Sequence, residues 1–182
     1  MKYTNGSHFL VFVGSLNPRK NLKRIFQAFD KLTDETKLVI VGEKMSWDEE
    51  VELAYSGLSR KEKVVFTGRL EGEDLNSVLS ASIALVFPSL FEGFGIPILE
   101  AYQAGTAVIT ATNSSMPEIA GDGAILVDAL DVGQIRNAME LLINNEEKRM
   151  ELIVKGHEQQ KKYSWDRSGE KLWSLFQKVV NN

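Results

Sequence analysis

Residues 83–105 read IALVFPSLFEGFGIPILEAYQAG, and they decide the fold. The run Ile83-Ala84-Leu85-Val86-Phe87 is short, apolar and unbroken, as suits a strand covered on both faces. Gly93-Phe94-Gly95 then marks a loop, and Ile96-Pro97 opens a helix. Proline fits a first helical turn because its missing N–H would go unpaired there anyway. Glycines at a strand-to-helix turn let backbone N–H groups come close to a ligand, and a helix N-terminus carries partial positive charge. Together they predict an anion site. Glu92 and Glu100, eight positions apart, flank the loop, with Glu100 in the first turn of the helix or just after it. A carboxylate facing an anion site suits a ligand that carries both a phosphate and neutral hydroxyls, as a nucleotide sugar does.

Outward from this segment the pattern repeats. Short apolar runs at Phe9–Val13, Leu38–Val41, Val64–Thr67, Ala107–Thr110 and Ala124–Val127 predict further strands, several followed by glycine at Gly14, Gly42 and Gly68. Helical spacing fills the gaps. Leu22, Ile25, Phe26, Phe29 and Leu32 share one face, and Leu75, Val78 and Leu79 another. Ser46 with Glu49 reads as a capping box before Val51, Leu53 and Ala54. Asp131 is placed to cap a helix that carries Ile135, Ala138, Met139, Leu142 and Ile143. Two charged amphipathic helices follow, about residues 146–162 and 166–180. Trp165 and Trp173 are expected to pack the last one down, and Phe94 to lie in the core, with a wall of the sugar pocket as the alternative.

Alternating strands and helices predict an α/β, doubly wound, Rossmann-like parallel sheet of about six strands with helices on both faces. Ligands of such sheets bind at the carboxyl ends of strands, near the point where strand order reverses. The loops at residues 14–21, 68–74 and 88–95 all follow strands, so the site is expected there. No repeat, low-complexity stretch or linker divides the chain, and residues 1–182 read as one domain.

Composition narrows the chemistry. The chain has 182 residues, 43% apolar and 25% charged, which allows a substantial core. A net charge of -4 speaks against non-specific nucleic-acid binding. The absence of cysteine removes disulfides, thiolate metal sites and cysteine nucleophiles. His8 and His157 are too few for a histidine metal cluster, and no Asp-x-Asp pair occurs, so no metal or other cofactor is expected. No apolar run approaches the ~20 residues of a membrane span, and residues 1–8 lack a signal peptide's apolar stretch. The chain reads as cytoplasmic, with little reason for membrane contact.

Arg19 and Lys20 follow the first strand at the start of a helix, where cations are disfavoured. A bound diphosphate would turn that penalty into charge-assisted hydrogen bonds. A solvated loop with two surface charges is the plainer alternative. Glu92 and Glu100 have alternatives too: first-turn acid that offsets the helix dipole, or the acid and base of a hydrolase.

Five segments occur in order: GSLNPRKNL (14–22), FTGRLEGEDL (66–75), PSLFEGFGIPILEAYQAGTAVI (88–109), MPEIAGDGAILVDALD (116–131) and YSWDRSGEKL (163–172). With these the chain resembles the C-terminal, donor-binding domain of retaining family-4 glycosyltransferases of the GT-B fold. The resemblance implies transfer of a sugar from a nucleotide diphosphate sugar with retention of anomeric configuration and without a required metal. It implies that Arg19 and Lys20 hold the donor diphosphate and offset charge on the leaving group. Glu92 would lie near the transferred sugar, and these three residues are the catalytic candidates. Glu100 would bind the ribose hydroxyls, and Leu70 would meet the base through its backbone. Backbone groups of Gly93, Phe94 and Gly95 would contact the sugar and its phosphate, and Gly14, Ser15 and Ile96 complete the donor-binding set. Ser15 stands where many members carry arginine. The family's N-terminal acceptor-binding domain is absent, so the chain is expected to be a piece of a longer enzyme, peripheral at most to the inner face of a membrane. The form of GSLNPRKNL is reminiscent of bacterial mannosyltransferases that build surface polysaccharides, which favours GDP-mannose over UDP- and dTDP-sugars. Two other readings stay open: half of a GT-B sugar-nucleotide epimerase, and a non-catalytic α/β interaction module.

Overall fold

The computed structural model describes residues 3–43 and 48–180. Its strands are β1 (Phe9–Val13), β2 (Lys37–Val41), β3 (Val64–Gly68), β4 (Ala84–Phe87), β5 (Ala107–Ala111) and β6 (Ala124–Val127). They form one sheet in the order β3-β2-β1-β4-β5-β6, and every neighbouring pair is parallel. Each predicted run is a strand, its ends shifted by one residue at most. The helices are α1 (Leu22–Phe29), α2 (Glu49–Ser56), α3 (Gly72–Ser80), α4 (Ile96–Gln103), α5 (Met116–Ala120), α6 (Val132–Asn144), α7 (Glu146–Gln160) and α8 (Trp165–Val180).

The period-2 pleat sorts each central strand between two cores. Leu10 and Phe12 of β1, with Leu38, Ile40, Val86 and Ile109, face α1 and α6. Phe9, Val11 and Val13, with Val39, Leu85, Phe87 and Val108, face α3, α4 and α5. This explains why the central strands are apolar throughout. The edge strands differ from that expectation. β3 and β6 lie beside one neighbour each and leave Phe66 and Leu126 partly exposed.

Caps set several helix ends. Asp131 accepts hydrogen bonds from the backbone N–H groups of Gly133 and Gln134 and starts α6, as predicted. Asp48 accepts from Val51 N–H and starts α2, while Ser46 of the predicted capping box lies outside the described residues. Helix α7 lies close against the sheet's helical layer. A Cβ built at Gly156 would stand 2.4 Å from the Tyr102 ring, so only glycine permits this approach.

The last helix corrects the sequence reading. No side chain of α8 is buried, and Trp165 and Trp173 are 86% and 63% exposed. The tryptophans do not hold α8 onto the domain. Its apolar positions, Leu172, Trp173, Phe176 and Val179, make a stripe at helical spacing with nothing from the described residues covering it.

Candidate active site

Strand order reverses at β1, which lies between β2 and β4. The loops that leave β1 and β4 therefore open beside each other at the carboxyl ends of the strands, the place where open α/β sheets bind ligands.

The loop from β1 carries Arg19 and Lys20 in a single 3-10 turn, Pro18–Lys20. Asn21 follows in the left-handed region, at φ 63°, a conformation asparagine tolerates better than most residues. Its side-chain amide donates to the carbonyls of Pro88 and Ala129, at 2.8 and 2.7 Å, and so pins the turn to the loops after β4 and β6. The backbone of Arg19 also accepts from Leu90 N–H at 2.8 Å. These contacts bring Lys20 Nζ to 2.8 Å from Glu92 Oε1 and Arg19 Nη1 to 2.9 Å from Glu92 Oε2. The three proposed catalytic side chains thus form one cluster. Lys20 and Glu92 are almost wholly buried, their side chains 8% and 9% exposed, whereas Arg19 is half exposed at the mouth. The Lys20 ammonium sits 4.5 Å above the Phe87 ring. Gly14 gives the lysine stem room, since a Cβ there would stand 3.2 Å from Lys20 Cε. Ser15 accepts a hydrogen bond from the Asn17 amide at 2.8 Å in the same loop.

Burial alone would push the Glu92 carboxyl up. The hydrogen bond and charge of Lys20, joined by the hydrogen bond from Arg19, outweigh it and hold the group below its ordinary 4.5. Glu92 is therefore ionised at neutral pH. An ammonium has three donors and a guanidinium five, so both cations can keep Glu92 and still reach the oxygens of a second anion.

Gly95 takes φ 106°, open to glycine, and turns the chain into α4 with Pro97 in the first turn, as predicted. Glu100 lies one turn further on, half-buried, and burial raises its carboxyl above the ordinary 4.5. It borders a cleft of about 420 Å³ between α3 and α4, whose walls include Gly72, Leu75, Asn76 and Gln103. Leu70, in the loop from β3 to α3, sits partly buried just ahead of this cleft.

The family model for glycosyl transferases group 1 matches residues 3–159. This chain belongs to that family. O-antigen chain mannosyltransferase B of Escherichia coli is 31% identical over 163 residues, which are 87% of this chain and 42% of that protein. Serotype-specific mannosyltransferase WbdA of Escherichia coli is 34% identical over 172 residues, 90% of this chain and 21% of that one. Among solved structures, sucrose-phosphate synthase from Thermosynechococcus elongatus superposes with a TM-score of 0.87 at 21% identity, over 97% of this chain and 46% of that one. Anabaena HepE in complex with UDP-glucose superposes with a TM-score of 0.79 at 17% identity, over 87% and 45%. The chain thus spans less than half the length of each of these relatives.

Other parts of this candidate site were not legible. Phe94 is not core: it is 43% exposed, and its ring meets the edge of Tyr163 at 5.7 Å. The turn at Gly95 carries Phe94 outward to the rim beside the α7–α8 connection. Sequence reading also missed α5 and the residues before it. Ser115-x-x-Glu118 is a capping-box pattern that would have found the helix. Nothing in the sequence indicated that Asn113, Ser114 and Ser115 hydrogen-bond to the loop that carries Glu92.

Proposed function

We propose that this domain binds the nucleotide sugar of a glycosyltransferase that moves mannose from GDP-mannose, with retention at the anomeric carbon, onto a glycan or lipid-linked acceptor during polysaccharide assembly. The Arg19–Glu92–Lys20 cluster at the switch point, beside the N-terminus of α4, carries the reading. Two relatives named as mannosyltransferases support the choice of sugar. Retention and the GDP group rest on the sequence resemblance.

In this reading Arg19, Lys20 and the α4 N-terminus face the diphosphate. The bond between the anomeric carbon and the diphosphate oxygen breaks and the oxygen keeps the electron pair. The acceptor hydroxyl oxygen bonds the anomeric carbon on the same face, its proton passes to the departing diphosphate, and the cations stabilise the charge the diphosphate gains. Glu92, held ionised, accepts hydrogen bonds from sugar hydroxyls and favours the positive charge that develops on the ring. Glu100 accepts from the ribose hydroxyls in the cleft, with Leu70 against the base. The acceptor side comes from the rest of the protein, so this chain alone binds donor without turning it over.

Calorimetric titration of the chain with GDP, UDP, dTDP and ADP tests the reading. Selective binding of GDP supports it, and binding of none of them opposes it. Glu100→Gln serves as control with a two-sided expectation. It weakens nucleotide binding, because an amide is a poorer acceptor for two hydroxyls. It also raises the thermal midpoint at pH 7. A carboxyl whose folded pKa lies above its unfolded value weakens the fold at neutral pH, and that penalty disappears as pH falls below both values. A lowered midpoint would contradict the assignment of Glu100 as a carboxylate held for binding.

In this reading the rest of a full-length protein docks on α8. The apolar stripe of α8 lies beyond the family match, and the relatives are more than twice as long as the chain. We assign that stripe to contact with the remaining half of the full-length protein. Replacing Trp173 and Phe176 together by serine should leave the urea unfolding curve of this chain unchanged and lower the thermal midpoint of the full-length protein by several degrees. Equal effects in both proteins would refute the assignment.

A further inference from the structure

The loop that holds Glu92 is itself held from β5. Asn113 Nδ2 donates to the Leu90 carbonyl at 2.6 Å. The Ser114 hydroxyl accepts from Glu92 N–H at 2.9 Å and donates to the Glu92 carbonyl at 2.7 Å. The Ser115 hydroxyl lies 2.9 Å from the carbonyls of both Glu92 and Phe94 and, having one hydrogen, serves one of them at a time.

Two features show that these contacts are not incidental. Ser114 takes φ 56°, in the left-handed region that a serine avoids unless its surroundings impose it. Ser115 occupies the N-cap position of α5, where serine ordinarily accepts from its own helix, yet it makes no such bond. Ser114 adopts an unfavoured backbone and Ser115 forgoes its cap, and both direct their hydroxyls to the backbone of residues 92–94, the Ser114 hydroxyl also accepting from Ser115 N–H at 2.7 Å. Arg19 and Lys20 fix the carboxylate end of Glu92, and the serines fix its backbone end.

We propose that Ser114 and Ser115 are positioning residues that clasp the Glu92–Phe94 backbone and thereby hold the Glu92 carboxylate between Arg19 and Lys20. The proposal rests on the donor-site reading for its functional consequence. They touch no substrate and act through Glu92. With the clasp open, the Gly93–Gly95 backbone loses its fixed approach to a bound phosphate and Glu92 can leave the cations for water.

The test uses this chain with its glutamates labelled at the carboxyl carbon, in wild type, Ser114→Gly, Ser115→Ala and Ser115→Thr. Ser114→Gly removes the hydroxyl while suiting the left-handed backbone, so it separates the clasp from folding strain. In wild type Glu92 titrates below 4.5. In Ser114→Gly and Ser115→Ala its midpoint should move up toward that ordinary value, while Ser115→Thr, which keeps the hydroxyl, behaves as wild type. Thermal midpoints should stay within a few degrees of one another. GDP affinity should fall by about tenfold in the first two variants, the equivalent of one lost hydrogen bond. An unmoved Glu92 titration in both variants overturns the clasp. A shift that Ser115→Thr fails to prevent overturns it as well. Should Glu92 titrate as expected while wild type binds no GDP, the clasp stands and the donor-site reading falls.

Discussion

Replacing Lys20 by alanine is expected to lower turnover of the full-length glycosyltransferase by about 10²–10³-fold, the typical loss when one preorganised electrostatic partner of a developing charge is removed. The buried ammonium is fixed by two contacts, Glu92 Oε1 at 2.8 Å and the Phe87 ring at 4.5 Å, and Gly14 leaves room for its stem. On the proposed reading it would need no reorganisation as a leaving diphosphate gained charge. On the same reading, in which the acceptor is held elsewhere, acceptor binding should change little and the effect falls on turnover. Lys20→Arg should not restore it, because the space beside Gly14 fits a lysine stem and a point charge rather than a planar guanidinium. Lys20→Ala also lowers stability by about 2 kcal/mol, less than for a fully orphaned buried charge because Arg19 still pairs with Glu92. That loss has a pH signature. The depressed pKa of Glu92 contributes stability above its unfolded value, near 4.5, and the contribution is lost as pH falls through the lower folded value. Wild type and Lys20→Ala should therefore converge in stability at acid pH. Unchanged turnover, or a stability difference that persists at acid pH, would refute the role given to Lys20.

Gly42→Ala is expected to destabilise the domain by about 3 kcal/mol or more. Gly42 ends β2 at φ 151°, and a Cβ there would stand 1.9 Å from the carbonyl oxygen of Gly14 and 2.8 Å from its carbonyl carbon. The obstacle is backbone, so no rotamer change relieves it. Relief requires parting the ends of β1 and β2, where Gly14 N–H bonds Val41, and disturbs the adjoining end of β3, where Gly42 N–H bonds Gly68, each at 2.9 Å. The strand end that would move is the one that leads to Arg19 and Lys20, so nucleotide affinity should fall along with stability. Urea unfolding at pH 7 measures the first effect. Gly169→Ala on exposed α8 is the control, since nothing lies within 4 Å of its Cβ and alanine is the better helix former. A loss below about 1 kcal/mol for Gly42→Ala would show that the two strand ends can separate freely.

The two predictions mark different depths of legibility. Lys20 and Glu92 were both singled out as functional from the sequence, because cations at a helix start and carboxylates flanking a glycine loop are locally anomalous. Their pairing, across 72 positions of chain, was not foreseen. Gly42 read only as punctuation after a strand. Its contact with Gly14 exists because β1 and β2 are neighbours in register, Val13 opposite Val41. Serines 114 and 115 gave no functional signal at all, since serine before a proline-containing helix is ordinary in any loop.

The sequence by itself determined the strands, most of the helices, the parallel doubly wound class and the glycine loop before α4. All of these follow from interactions between residues close along the chain: apolar runs of strand length, 3.6-residue spacing, caps, and glycine or proline where φ demands them. Only the tertiary structure decided that Glu92 sits between Arg19 and Lys20, that Asn113, Ser114 and Ser115 hold its loop, that Phe94 turns to the rim, and that α8 stands clear with its tryptophans uncovered. These depend on which loops meet at the switch point and which faces find a partner. Sequence periodicity shows that a helix has an apolar face, but what covers that face, if anything in the chain does, depends on elements far away along it.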